Sequence, residues 1–246
     1  MGTITSPHNE KLKLIRRLGR RRSREREGLF VGEGEDLLAA ARLAGAEPVE
    51  LLTAAGEGLG GTEVEPALLA RFSNLGSGTR SIGVWRELWA DRAVTPCVYL
   101  HGVSDPGNVG TVIRTADALV GGSVALGPGC ADPFGPNAVR ASMGAVFSEP
   151  LLRARIESTP EPRAALLAHH GEPLEALEGA ATLCLGSERE GLPAEVVEQC
   201  DVRVTIPLRE SAESLNVAAA AAIALQRISS PTSREAGQTR SGRGGE

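Results

Sequence analysis

The sequence predicts an α/β protein in two parts, and three observations predict it. Short runs of β-branched and aliphatic residues alternate with helical patterns along most of the 246 residues. Glycine and proline pairs punctuate the alternation, and charge is segregated toward the N-terminus. A chain of this length, 41% hydrophobic and 23% charged, holds two modest domains with ordinary cores.

Taken in order, Ser6-Pro7-His8-Asn9 predicts a helix start. Leu12, Leu14, Ile15 and Leu18 then give the helix a narrow apolar stripe among arginines. Leu29-Phe30-Val31 reads as a strand, Glu35 to about Ala44 as a helix, and Val49 to Leu52 as a second strand. A Gly-rich loop over 56–61, a short helix from Pro66 to Phe72 and a strand from Ser81 to Val84 follow. Residues 1–90 therefore predict a small α/β domain.

A second domain is predicted over 94–228. Cys97 to Leu100 is an apolar strand, and Asp105-Pro106-Gly107-Asn108 turns into a helix from Val109 to Leu119 that Gly121-Gly122 closes. Strand Val124 to Leu126, a helix around Asn137 to Ala145, the segments Leu151-Leu152 and Arg163 to His169, and strand Thr182 to Leu185 continue the pattern. Val204-Thr205-Ile206, ended by Pro207, is the last strand. Ser214-Leu215-Asn216 opens an Ala-rich helix with hardly any polar face, and Ser214 stands where an N-cap belongs. Together these predict an open, largely parallel sheet with helices on both faces. The tail 229–246 has no apolar spacing and predicts disorder.

Composition narrows the function. No run approaches the roughly twenty apolar residues of a membrane span, and the N-terminus lacks the apolar core of a signal peptide, which predicts a cytoplasmic protein. Cys97, Cys130, Cys184 and Cys200 show no metal-ligand spacing and read as reduced, mostly buried thiols, so metal chemistry is not expected. Residues 1–28 carry a net charge of +6, against −11 for the rest. The cations are Lys11, Lys13, Arg16, Arg17, Arg20, Arg21, Arg22, Arg24 and Arg26, and such a cluster reads either as a solvated helix face or as a polyanion-binding surface. With aromatics at 3%, any nucleic acid would be recognised through phosphate and shape rather than base stacking.

Three stretches stand at the C-terminal ends of predicted strands, where open α/β sheets hold ligands. They are DPGNVGTVIRTADA (Asp105–Ala118), LGSEREGLP (Leu185–Pro193) and IPLRESAESLNVAAA (Ile206–Ala220). In order and spacing they resemble the three motifs of the SpoU/TrmH branch of the SPOUT methyltransferases. GPGCADPFGPNAVRASMGA resembles the segment between that family's first and second motifs. The stretch from Ser6 to Gly34 is similar to the N-terminal substrate-binding domain of its longer members. The resemblance implies a trefoil-knot α/β domain, a homodimer, S-adenosylmethionine as methyl donor and 2′-O-methylation of an RNA ribose, with ribosomal RNA ahead of transfer RNA. A same-fold enzyme with a small-molecule or protein acceptor, and an RNA-binding protein without activity, are the alternatives.

The resemblance places Asn108 and Arg114 at the catalytic centre with Glu188, Ser214 and Asn216. It assigns Leu185, Gly186, Ser187, Ile206, Leu208 and Leu215 to the donor, with Gly186 allowing close backbone approach. Because a guanidinium with a pKa above about 12 does not act as a base, Arg114 is expected to anchor a phosphate and stabilise developing alkoxide charge. Glu188 is expected to orient Arg114 or Asn216, or else to interact with a helix dipole. Arg140 and Ser142 read as supporting residues. The third motif commonly has Gly where this chain has Glu210.

Overall fold

In a computed structural model of the protein, residues 2–73, 78–209 and 211–229 are described. Glu210 and the tail beyond Ser229, both singled out by sequence, lie outside them. Among the described residues no helix is long and apolar enough to cross a membrane.

The N-terminal part contains α1 (Glu10–Leu18), α2 (Arg21–Glu27), β1 (Leu29–Glu33), α3 (Glu35–Leu43), β2 (Glu50–Ala54), β3 (Thr62–Val64), α4 (Pro66–Ala70) and β4 (Ser81–Arg86). Asn9 caps α1 by accepting from the Lys11 amide at 2.9 Å, as its position predicts. The strands form a sheet in the order β1-β4-β2-β3, antiparallel except for the β2–β3 pair. Sequence missed β3, because three residues beside a Gly-rich loop carry too little pattern; their pairing with Leu52 to Ala54 makes the strand. Leu12, Ile15 and Leu18 of α1 pack with Leu68 and Leu69 of α4 against Val31, Leu52, Ile82 and Val84 on one sheet face.

The remainder contains β5 (Cys97–Leu100), α5 (Pro106–Leu119), β6 (Ser123–Leu126), α6 (Pro136–Ser142), β7 (Leu151–Arg153), β8 (Arg163–Leu167), β9 (Thr182–Leu185), α7 (Ala194–Val197), β10 (Val202–Thr205) and α8 (Val217–Ser229). Its strands make a sheet in the order β10-β8-β9-β5-β6-β7, every pair parallel. The strict strand alternation of side chains divides the core in two. Val98, Leu100, Val124 and Leu183 meet α5, α6 and α8 on one face, whereas Cys97, Tyr99, Ala125 and Cys184 meet Ile156 and Val196 on the other. All four cysteines are free.

Three element boundaries differ from expectation for local reasons. Helix α5 begins at Pro106, because proline suits the first helical position and Asp105 accepts from the Asn108 amide at 2.9 Å. Helix α6 stops at Ser142, where Met143 and Gly144 take positive φ. Helix α8 begins at Val217, and its cap is Asn216 rather than Ser214: Asn216 Oδ1 accepts from the amides of Ala218 at 3.0 Å and Ala219 at 3.3 Å. An amide two or three residues on is what an N-cap oxygen satisfies, and Ser214 is two residues too early.

The two sheets share a core. Phe30 and Trp85, on the far face of the first sheet, join Leu37, Leu38 and Ala41 of α3 in the cluster that contains Val98 and Val112. Phe30 lies 4.9 Å from Phe134 and 5.7 Å from Phe147 between ring centroids, and Trp85 lies 5.0 Å from Phe147. Four of the chain's seven aromatic residues thus meet at this junction. Arg24 adds a polar tie, pairing with Asp132 at 2.6 Å with both side chains buried.

Candidate active site

All six strands of the second sheet point the same way, so their C-terminal ends share one edge. A cleft of about 670 Å³ opens there over β8, β9 and β10. Its lining draws on the loop 185–192, on Ile206 and Leu208 after β10, and on Glu213, Ser214 and Leu215 before α8. All six residues assigned by sequence to the donor line it, as do Glu188 and Ser214. Sequence reasoning missed the wall formed by Leu166 to His169 at the end of β8. The signal was the same strand-end position that drew attention to the other loops, but Arg163 to His169 lacked a motif.

Backbone geometry explains the loop after β9. Ser187 and Gly191 bond reciprocally, amide to carbonyl, at 3.2 and 3.0 Å, and the Glu190 amide donates to Ser187 Oγ at 3.1 Å. A Cβ on Gly186 would lie 2.0 Å from the Gly191 carbonyl carbon. Gly186 is therefore required by the chain's own return at Gly191 and Leu192, a tighter constraint than the ligand approach expected of it.

Beside the cleft, three polar side chains from three motifs form a relay. Asn216 Nδ2 donates to Asn108 Oδ1 at 3.0 Å, and Asn108 Nδ2 donates to Glu188 Oε1. Glu188 thus orients Asn108, and not Arg114 or Asn216 as sequence suggested. The helix starts make the relay possible: Asn216, the cap of α8, faces Asn108 in the first turn of α5, and the two are held by Asn216's capping bonds and by Asp105. Capping leaves the Asn216 amide nitrogen free to donate.

Arg114 is not part of this relay. It is six residues along α5 from Asn108, about 9 Å along the axis and on another side, and it is exposed with no hydrogen-bond or ion-pair partner among the described residues. Arg140 is also exposed, and Ser142 is buried with its hydroxyl on the Val139 carbonyl at 2.7 Å. Among the described residues no group of His, Cys, Asp and Glu is placed to hold a metal ion.

The N-terminal cations separate into four groups. Arg24 is removed from the polyanion-binding set: it is 4% exposed, tied to Asp132 and donating to the Leu18 carbonyl at 2.8 Å, because a buried guanidinium needs partners on every side. Lys11 is committed to Glu50 at 2.7 Å and to Thr62, while Lys13, Arg21 and Arg26 pair locally with Glu10, Glu25 and Glu27. Arg16 lies over the Phe72 ring at 4.9 Å. Arg17, Arg20 and Arg22 are exposed and have no ion pair among the described residues.

Comparison with known proteins supplies the family context. The SpoU rRNA Methylase family profile matches residues 95–226. The 23S rRNA (guanosine(2553)-2′-O)-methyltransferase RlmP of Bacillus subtilis is 37% identical over 133 residues, covering 50% of this chain and 54% of its own. The chain spans about half the length of the curated relatives it matches first. Among solved structures, an AdoMet-bound rRNA methyltransferase from Sinorhizobium meliloti superposes with a TM-score of 0.81 at 27% identity, covering 92% of this chain and 96% of that one. The AviRb methyltransferase of Streptomyces viridochromogenes, in complex with AdoMet, gives 0.76 at 27% identity over 89% and 97%.

Proposed function

The chain belongs to the SpoU rRNA methylase family, and from that premise we propose that it transfers a methyl group from S-adenosylmethionine to a ribose 2′-hydroxyl of structured RNA, ribosomal RNA ahead of transfer RNA. One observation carries this reading: residues up to 108 positions apart in sequence, from three motifs, join in the Asn216–Asn108–Glu188 relay beside a single cleft.

The cleft suits the donor. Its volume falls in the range for a nucleoside-sized ligand. Leu185, Ile206, Leu208 and Leu215 would wall the adenosine, backbone of 186–192 would meet its polar edge, and Glu188, Glu190 and Glu213 put carboxylates near a cationic sulfonium. S-adenosylmethionine, when bound, supplies an electrophilic methyl group that needs no metal. The protein's share is alignment and charge. Asn108, held between Glu188 and Asn216, presents a fixed amide to the ribose. Arg114 anchors the neighbouring phosphate and stabilises the alkoxide as it develops, and the hydroxyl proton leaves to a phosphate oxygen or water.

The reading extends to the whole chain. Residues 1–90 form the RNA-binding domain, with Arg16, Arg17, Arg20, Arg21 and Arg22 outward, and residues 94–228 form the transferase domain of a cytoplasmic enzyme. The active form is a homodimer. Supporting this, Arg114 does not reach its own chain's relay, and α8 leaves Ala219 and Ile223 exposed on a nearly all-apolar helix. Mapping 2′-O-methyl groups in total RNA from cells with and without the gene tests the activity, with one ribose position expected to lose its methyl group. Transfer to no RNA by protein that binds the donor would refute it. Neutralising Arg20, Arg21 and Arg22 together should weaken RNA binding and lower its salt slope by about two to three.

A further inference from the structure

A second cleft, of about 490 Å³, lies on the same sheet edge over the ends of β6 and β7. Backbone from Leu126 to Pro133 lines it, and Arg153, Arg155, Trp89 and Arg21 stand around it. It adjoins the first cleft: the His101 amide donates to the Leu185 carbonyl and the Gly102 amide to the Pro128 carbonyl, both at 2.9 Å. Two hydrogen bonds thus link the donor-cleft loop, the end of β5 and this second wall.

The second cleft is built to hold an anion. Arg153 lies 4.3 Å over the Trp89 ring, which is itself fixed by a bond from Nε1 to Glu87 Oε2 at 3.0 Å and by edge contact with Phe134 at 5.1 Å. A stacked guanidinium keeps its in-plane donors free for phosphate. Arg153 and Arg155 are both exposed and make no ion pair among the described residues. The carboxylate on the cleft wall, Asp132, is neutralised from behind by buried Arg24. That pair also seats α2 against the cleft, so Arg21 continues the basic surface onto the N-terminal helix.

We propose that this cleft is a docking site for the phosphodiester backbone of the acceptor RNA, bound by Arg153 and Arg155 beside Arg21, which guides the strand from the basic helix to the catalytic cleft. The inference rests on RNA being the acceptor. Replacing both Arg153 and Arg155 by Ala removes the donors without touching the donor cleft, and fluorescence anisotropy with a structured RNA fragment reads the effect across a salt series. The expected result is RNA binding weakened at least about tenfold and a salt slope lower by about one per arginine, with S-adenosylmethionine affinity unchanged. The single-charge control Arg203→Ala, at an exposed position of β10, should bind like the native protein and keep its salt slope.

Native-like affinity and slope in the Arg153/Arg155 variant, while the native protein still methylates RNA, would overturn the docking site and leave the proposed activity standing. Native protein that binds no RNA at any salt would remove both. Titration with inorganic phosphate alone separates a strand-binding cleft from a small-anion site: saturable phosphate binding lost in the variant, with RNA binding intact, would also overturn the proposal.

Discussion

The two ends of the six-stranded sheet each bury a carboxylate and hold it differently. At the C-terminal edge, Asn108, Glu188 and Asn216 satisfy one another beside an open cleft, and Arg24 neutralises Asp132 beneath the second cleft. At the N-terminal edge, Glu149, just before β7, is buried with Oε1 lacking any hydrogen-bond partner among the described residues. Burial, with Asp117 nearby, pushes its carboxyl up to about 7. The working edge thus holds its polar groups by partners, whereas the opposite edge holds one by suppressing its charge. The difference matters because a partnered group keeps its geometry over a wide pH range and a suppressed one does not.

The largest effect should follow from cutting the tie under the working edge. Arg24→Ala leaves the Asp132 carboxylate buried without its cation, at a cost of about 3–5 kcal/mol. Urea unfolding measures it. A loss below about 1 kcal/mol would mean that the pair is no tighter than a surface ion pair, and adding Asp132→Asn to Arg24→Ala should recover part of the stability.

Next comes Arg114, which the relay leaves out. In the proposed reaction Arg114→Ala lowers kcat by about 10²–10³, the scale for removing one donor to a developing oxyanion, while calorimetry finds donor affinity intact. Parallel loss of donor affinity would assign Arg114 to the donor cleft instead. Mixed dimers of Arg114→Ala and Asn108→Ala subunits sharpen the test: recovery of part of the activity is expected if the two residues act from different subunits.

Much of this was legible in the sequence, and the rest was hidden for definable reasons. The strands of the parallel sheet were readable because strands buried on both faces are continuous apolar runs, as in Cys97 to Leu100 and Thr182 to Leu185. The loops that line the cleft were readable from their motifs at strand ends. The partners of Asn108 were not, because residues 80 and 108 positions away meet it only through the tertiary arrangement. Arg24 looks in sequence like its neighbours in α2, and only the fold turns it inward toward Asp132. Helix starts misled by two or three residues wherever a capping side chain, Asp105 or Asn216, stood off the position that the apolar pattern suggested.

The opposite edge gives a smaller, pH-dependent effect. Glu149 has a folded pKa above its ordinary value of 4.5, so the folded state holds the proton more tightly than the unfolded chain. Stability is therefore greatest below about pH 4.5 as far as this group is concerned, and falls as pH rises to about 7, by an amount of order 1–3 kcal/mol. Glu149→Gln should flatten that slope without altering the pH dependence of methyl transfer. An unchanged stability profile would show that Glu149 finds a partner in solution.

The smallest effect tests whether the working edge is one unit or two overlapping ones, because Asn216 both caps α8 and donates to Asn108. Asn216→Ala removes both roles and should cost about 1 kcal/mol of stability, along with turnover. Asn216→Asp keeps an oxygen that accepts from the Ala218 amide but has no side-chain N–H for Asn108. If the relay matters beyond the cap, the Asp variant should melt like the native protein yet turn over RNA as slowly as the Ala variant. Recovery of both stability and turnover in the Asp variant would reduce Asn216 to a helix cap and leave Glu188 alone to orient Asn108.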